Sequence, residues 1–116
     1  MLFLKFFDQM QALMPKVLAE VLGTFTMIFV GAGSILLAEK YPQSFPTFMI
    51  PIAWGLTICL MIFAMGKVSG AHFNPAVTLA FAIAKRIPAE QVAVYWLSQF
   101  AGGTAAIGLL KVIQKI

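Results

Sequence analysis

Residues 69–78 have the sequence Ser-Gly-Ala-His-Phe-Asn-Pro-Ala-Val-Thr, which contains a strong signal for the start of a helix. Asparagine is a preferred helix N-cap, and proline suits the next position because its missing N–H would have no helical partner there. The apolar run that follows ends near Ala84, before a Lys-Arg-Ile-Pro sequence. The sequence therefore predicts a short helix over residues 74–84 that begins at Asn74-Pro75.

The chain around this stretch is too apolar for a water-soluble domain. Of its 116 residues, 61% are hydrophobic and 10% are charged, with a mean hydropathy of +0.94, whereas about a quarter of the residues of a soluble domain are charged. The net charge of +4 does not indicate nucleic-acid binding, because the eight Lys and Arg residues lie scattered between apolar runs. The composition predicts that a lipid bilayer surrounds the protein.

Three apolar runs are long enough to cross a hydrocarbon core of about 30 Å, which takes around 20 residues of helix. They cover approximately residues 17–38, 48–65 and 91–112. The predicted helix over residues 74–84 reaches only about 16 Å, roughly half of that thickness. We therefore expect an all-α membrane protein with three transmembrane helices and one re-entrant half-helix, which forms a single repeat over residues 16–116.

Residues 1–15 are predicted to form a separate amino-terminal interfacial segment. Large apolar residues alternate there with Lys5, Asp8, Gln9 and Gln11, a pattern that favours a helix lying on the membrane surface. A cleaved signal peptide is less favoured, because no small-residue cleavage site follows.

The distribution of basic residues predicts the orientation. If residues 74–84 enter and leave on one side, five basic residues lie on one face of the membrane and three on the other: Lys5, Lys16, Lys67, Lys85 and Arg86 against Lys40, Lys111 and Lys115. The face richer in Lys and Arg is usually cytoplasmic. We expect an integral, multi-pass protein of the plasma (inner) membrane with a cytoplasmic amino terminus.

A half-helix that begins at mid-membrane implies a pore. Non-helical backbone at that depth is tolerated only where it is buried in protein or lines a wet cavity, so the carbonyls of Gly70, Ala71, His72 and Phe73 would be acceptors along such a cavity. The helix start carries about +0.5 of a charge, which disfavours cations but not neutral solutes. Asn74 would offer its amide N–H groups to a solute oxygen. An Asn-Pro turn in a plain surface loop is the alternative.

Two further stretches, Ala-Glu-Val-Leu-Gly-Thr-Phe at residues 19–25 and Tyr-Trp-Leu-Ser-Gln-Phe-Ala-Gly at residues 95–102, accompany the first one. In this order, the three stretches resemble the first repeat of the major intrinsic protein family, the aquaporins and glycerol facilitators. The resemblance covers nearly all of residues 17–113 and implies half of an aquaporin-like fold, with Asn74-Pro75-Ala76 at the tip of the re-entrant half-helix.

The resemblance also implies roles for single residues. Asn74 matches the first of two central asparagines that donate to the passing solute, and Glu20 matches a buried glutamate that braces the re-entrant loop. His72 matches a histidine whose backbone borders the pore. From the residues alone, Glu20 could instead lie at headgroup level, and a lone His72 could be a metal ligand or proton relay, although no Cys, Asp or second His accompanies it.

Trp54 matches the position that the second span contributes to the family's selectivity filter. The resemblance links phenylalanine there with water-selective members and tryptophan with glycerol facilitators and the plant nodulin-like group. Trp54 therefore favours glycerol or other small neutral solutes. An interfacial anchor near a helix end is the alternative.

The resemblance implies two repeats in a complete pore, whereas these 116 residues hold one Asn-Pro-Ala. We therefore expect a passive channel for glycerol, water or both that works as half of a pore, with a second repeat or an oligomeric partner. The alternatives are a water-selective channel and a non-conducting orphan repeat or partner subunit. We expect no enzymatic activity, cofactor, metal or nucleic-acid partner, because no nucleophile and base pair or ligand cluster stands out.

Overall fold

The computed structural model describes residues 1–115, which form four α-helices and no strand. The helices are α1 (Leu2–Lys40), α2 (Met49–Ser69), α3 (Pro75–Ile83) and α4 (Val92–Gln114), with a 3₁₀ turn at Ala89–Gln91 before α4. Ile116, the last residue of the predicted repeat, lies outside the described residues.

Three of these helices are long and apolar enough to cross a membrane, namely α1, α2 and α4 with the 3₁₀ turn before it. The prediction of an all-α membrane protein with three long apolar helices is confirmed. The helix α1 is longer than the predicted span because it also includes the mostly apolar residues 2–16, and α2 ends at Ser69, four residues beyond the predicted end.

No break in the helix marks the boundary predicted at residue 15, since α1 runs without interruption through Pro15. Gln, Met, Ala and Leu precede this proline, and all of them favour a helix, so proline is the one helix breaker near the boundary. A proline in a helix removes one hydrogen bond without necessarily ending the helix. That residues 1–15 lie on the membrane surface stays a prediction.

Local chemistry sets both ends of α3. Asn74 is the N-cap, and its Oδ1 accepts a hydrogen bond from the Ala76 N–H at 2.8 Å, while Pro75 occupies the first helical turn. At the other end Lys85 has a φ of +56°, and the Arg86 N–H donates to the Phe81 carbonyl at 2.8 Å. This left-handed turn is a common way to end a helix. With its two caps, α3 occupies residues 74–84, the same range as the predicted half-helix.

The bundle is organised around α1, which packs against both α2 and α4, while α3 packs against α4. The α1–α4 crossing is close because Gly102 faces the backbone of α1, where an added Cβ would collide with the Val21 carbonyl oxygen. Small residues at such contacts let membrane helices approach closely. Large apolar side chains such as Phe63 and Leu97 point outward, as expected of a surface that faces lipid.

The contacts of α3 show that it turns back within the bundle. Just before its start, Phe73 packs against Gly23 of α1. Beyond its end, Gln91 accepts a hydrogen bond from Lys16 Nζ at 3.5 Å. Because Lys16 lies at the start of the predicted first span, α3 runs from the interior toward the end of the bundle where Lys16 lies.

Candidate functional site

A single carboxylate holds the loop between α2 and α3. Glu20 is fully buried, and its Oε1 accepts hydrogen bonds from Ser69 Oγ at 2.7 Å and from the His72 N–H at 3.0 Å. Its Oε2 accepts from the Phe73 N–H at 2.7 Å and from Gln99 Nε2 at 2.9 Å. A carboxylate can accept at both oxygens, so all four contacts satisfy a donor. Glu20 therefore fixes two consecutive backbone N–H groups of the loop.

Thr78 of α3 forms a second centre beside Glu20. This fully buried side chain accepts a hydrogen bond from Gln99 Nε2 at 2.9 Å, and its Oγ1 lies 3.0 Å from His72 Nδ1. These two contacts of Thr78 are compatible with each other when His72 Nδ1 carries no proton. The threonine hydroxyl then accepts from Gln99 and donates to the imidazole. Gln99 thus links α4 to both α1 and α3.

The loop backbone adopts conformations that L-amino acids rarely use. Gly70 has a φ of +88°, and two residues with side chains, Ala71 and Phe73, have φ values of +52° and +53°. Such positions cost energy and persist where surrounding contacts hold them. The contacts here are the Glu20 carboxylate and the Ser69 hydroxyl, which accepts from the Ala71 N–H at 3.0 Å. Within residues 1–115, no hydrogen bond reaches the carbonyls of residues 70–73.

Two aromatic side chains of α4 support the loop from the other side. The Tyr95 hydroxyl donates to the Ser69 carbonyl at 2.6 Å, and Trp96 Nε1 donates to the Pro75 carbonyl at 3.0 Å. The His72 ring stacks on Phe81 with 4.6 Å between ring centroids. Carbonyls on both sides of the loop, at the end of α2 and the start of α3, are therefore paired with α4.

A groove of about 690 Å³ opens at the tip of α3. Trp54, Phe73, Asn74 and Pro75 line it together with one face each of α1 and α4. Most of the wall is apolar, and Asn74 is the exposed polar residue at the start of α3. Because its Oδ1 is bound to the Ala76 N–H, the Asn74 amide nitrogen is the part of the side chain left for another acceptor.

The predicted site residues thus divide into groups. Trp54 and residues 73–75 lie in the groove, whereas Ala71 and His72 are buried behind it and hold the loop. Gly70 and Ala76 are exposed but do not line this groove. Trp54 packs against Gly31 of α1, where an added Cβ would collide with the indole ring.

Sequence reasoning assigned no role to Gln99, Thr78 or Ser69, which form most of the polar network. The signal was present, because each is a polar residue within or beside an apolar helix, where every polar group needs a partner.

Two buried atoms in the described part of the chain have no hydrogen-bond partner, Thr24 Oγ1 and Gln99 Oε1. Both residues line the groove.

Among the described residues, no three His, Cys, Asp or Glu side chains lie close enough together to hold a metal ion. The Glu20 network is accordingly built from a carboxylate and neutral donors.

Comparison with known sequences identifies related proteins. The model of the family described as major intrinsic protein matches residues 8–116. Aquaporin NIP1-2 of Arabidopsis thaliana is 41% identical over 100 residues, which are 86% of this chain and 34% of that protein. Aquaporin Z of Brucella melitensis biotype 1 is 42% identical over 104 residues, covering 89% of this chain and 46% of that protein.

Nodulin-26 of Glycine max is also similar, with 39% identity over 86% of this chain and 37% of that protein. The chain therefore spans between a third and a half of the length of these relatives.

Proposed function

Because the chain belongs to the major intrinsic protein family, we propose that it forms half of a passive channel for small uncharged solutes, glycerol or water or both. It is an integral, multi-pass membrane protein. The observation that carries the proposal is the exposed Asn74 at the amino-terminal end of α3, where its amide faces a groove that also contains Trp54.

The electrostatics of this tip suit a neutral solute. The start of a helix carries about half a positive charge, which repels cations and protons. Asn74 adds amide donors without a net charge, and the carbonyls of residues 70–73 add acceptors that are not used by the described residues. A solute with hydroxyl groups can both accept from the Asn74 amide and donate to a free carbonyl, so it suits this combination of groups.

Trp54 supports glycerol as one of the solutes. Its indole ring is half-buried and lines the groove, so it presents an aromatic face to the carbon side of a polyol. One similar protein, Nodulin-26, belongs by name to the nodulin-like group for which the resemblance implies tryptophan at this position. Water would use the same polar groups without the apolar contact.

The proposal of half a pore rests on the open side of the groove. One tip contributes one asparagine, and the groove beside it is open rather than enclosed. In inverted-repeat membrane proteins, the second half lies in the opposite orientation.

We further propose that the protein resides in the plasma (inner) membrane with its amino terminus in the cytoplasm. The support is the charge distribution, because the five basic residues on the Lys16 side outnumber the three on the other side. Lys85 and Arg86 shortly precede Gln91, whose side chain accepts a hydrogen bond from Lys16 Nζ, and this contact supports their location on the Lys16 side.

Reconstitution tests the proposal directly. Stopped-flow measurements on proteoliposomes that contain this chain should show faster water and glycerol entry than empty vesicles. Asn74→Asp is the informative variant, because it keeps the oxygen that caps α3 but removes the amide donors and adds a negative charge. The variant should lose most of the added flux, whereas Gln43→Glu, in the exposed turn after α1, should not.

The two alternatives predict different results. A water-selective channel would raise water entry and leave glycerol entry at the level of empty vesicles. A non-conducting orphan repeat or partner subunit would raise neither, and flux would then appear only when a chain carrying a complementary repeat is reconstituted with it.

A further inference from the structure

The first third of α1 extends beyond the bundle. At 1.5 Å per residue, the 39 residues of α1 measure about 58 Å, almost twice the hydrocarbon thickness of about 30 Å. The molecule has a matching longest dimension of 62 Å. Residues 2–12 are exposed, and burial begins only at Ala19. This projecting segment, residues 2–14, contacts no other helix closely enough to be covered by it.

The projecting segment has two chemically different sides. At 3.6 residues per turn, one side carries seven large apolar residues: Leu2, Phe3, Phe6, Phe7, Met10, Leu13 and Met14. The other side carries Lys5, Asp8, Gln9 and Ala12, and Leu4 departs from the pattern. The apolar residues are far from buried, since Leu2 is 86% and Phe3 is 75% exposed. Such a helix favours a boundary between an apolar and an aqueous phase.

The length of α1 makes a fully upright helix unfavourable. If the part after Lys16 spans the membrane, an upright projecting segment would stand about 20 Å into water at 1.5 Å per residue and would expose its apolar side there. Pro15 lies where a bend is easiest, because it cannot donate to the Gln11 carbonyl. A bend at Pro15 would place the segment along the membrane surface.

The charges near Pro15 favour an anionic surface. Lys5 and Lys16 lie on the polar side of α1, and Lys85 and Arg86 are exposed at the same end of the bundle. The acidic residues at this end are Asp8 and Glu90, so the five basic residues on the Lys16 side, which include Lys67, outnumber two acidic ones. Basic residues near anionic headgroups contribute about 1 kcal/mol each to binding.

We propose that residues 2–14 form a membrane-surface helix that bends at Pro15 and binds anionic phospholipid. The apolar side enters the acyl boundary, and Lys5 and Lys16 contact the headgroups. The proposal is independent of solute conduction, and residues 2–7 lie outside the part of the chain that matches the family model.

The test uses the full chain with Cys59→Ala as the background, so that one engineered cysteine carries a fluorescent label. Met10→Cys places the label on the apolar side, and Ala12→Cys places it on the opposite side as the matched control. In vesicles of phosphatidylcholine and phosphatidylglycerol, nitroxide-labelled lipid should quench the label at residue 10, and iodide in solution should quench the label at residue 12. Equal iodide quenching at both positions would overturn the proposal, and so would protection of residue 10 from both quenchers, which would indicate a covering protein.

Two further variants test the lipid class and the bend. Replacing both Lys5 and Lys16 by Gln should weaken lipid contact at residue 10 in anionic vesicles, by about fivefold for each lysine. Lys40→Gln, at the other end of α1, should have no such effect. Equal lipid contact at residue 10 in neutral and anionic vesicles would refute the proposed binding of anionic phospholipid. Pro15→Ala should reduce lipid contact by favouring a straight helix, and unchanged contact would refute the bend.

Discussion

Glu20 Oε2 accepts a hydrogen bond from the Phe73 N–H at 2.7 Å, although the two residues are 53 positions apart in the chain. Phe73 has a φ of +53° and immediately precedes the asparagine that caps α3. The contact therefore fixes the backbone from which the re-entrant helix starts, and it connects the carboxylate of α1 to the position of Asn74 in the groove.

Replacing Glu20 by Gln should destabilise the fold. The glutamine has one acceptor oxygen and one NH₂ group in place of two acceptors, so donors on one side of the network lose their partner. A buried unsatisfied group costs about 1–3 kcal/mol. Unfolding in mixed detergent micelles measures the loss. Glu39→Gln, at the exposed end of α1, is the control and should change stability by less than about 0.5 kcal/mol. Equal stability of the two variants would contradict the role of Glu20.

Replacing Thr78 by Val should also destabilise the fold, because the change removes the partner of both Gln99 Nε2 and His72 Nδ1. The expected loss is about 1–3 kcal/mol in the same unfolding measurement. Thr26→Val is the matched control, since the Thr26 hydroxyl donates to the Leu22 carbonyl of its own helix and is exposed. If both variants lose the same stability, the network is not what holds α3.

Alanine at two glycines should have effects of opposite sign. At Gly102 a Cβ would collide with the Val21 carbonyl oxygen and lie 3.1 Å from the Phe25 nitrogen, and backbone atoms cannot turn away. We expect Gly102→Ala to cost about 1–3 kcal/mol. At Gly55 an added Cβ meets nothing within 4 Å, so Gly55→Ala should stabilise α2 by up to about 1 kcal/mol. A loss at Gly55 as large as that at Gly102 would contradict the close α1–α4 crossing.

Local signals predicted part of this structure. The N-cap and the first turn of α3 depend on neighbouring residues, Asn74 and Pro75, so the range of the short helix followed from the sequence. The continuity of α1 through Pro15 did not, because a single proline has two structural outcomes and the residues around it favour a helix. Long apolar runs indicated the three membrane helices, but α1 begins well before its predicted span and α2 ends four residues after it.

The contacts of the site were harder to predict. The Gln99 side chain donates to Glu20, which is 79 residues away in the chain, and to Thr78, which is 21 residues away. No local pattern specifies such pairs. The same holds for Trp54, whose packing against Gly31 depends on how α2 crosses α1. The resemblance to a family gave Glu20 a role as a brace, but the amide that links it to α3 required the three-dimensional arrangement.

Replacing Trp54 by Phe should shift the balance of transport from glycerol toward water. The smaller ring removes apolar contact with the carbon side of a polyol, and such a contact is worth about 1–3 kcal/mol, or 10-fold or more in rate. The ratio of water to glycerol permeability in proteoliposomes measures the shift. Phe63→Leu, on the outward face of α2 and 93% exposed, is the control. An unchanged ratio would refute the assignment of Trp54 to the solute filter.

The side of the membrane on which Lys85 lies tests the re-entrant course of α3 most directly. In a Cys59→Ala background, single cysteines at positions 5, 44 and 85 can be labelled in sealed vesicles by a maleimide that does not cross the bilayer. Residue 5 precedes the first span, residue 44 lies in the turn between α1 and α2, and residue 85 follows α3. We predict that positions 5 and 85 react in the same fraction of molecules and position 44 in the complementary fraction. If position 85 reacts together with position 44 instead, α3 crosses the membrane and the channel account is wrong.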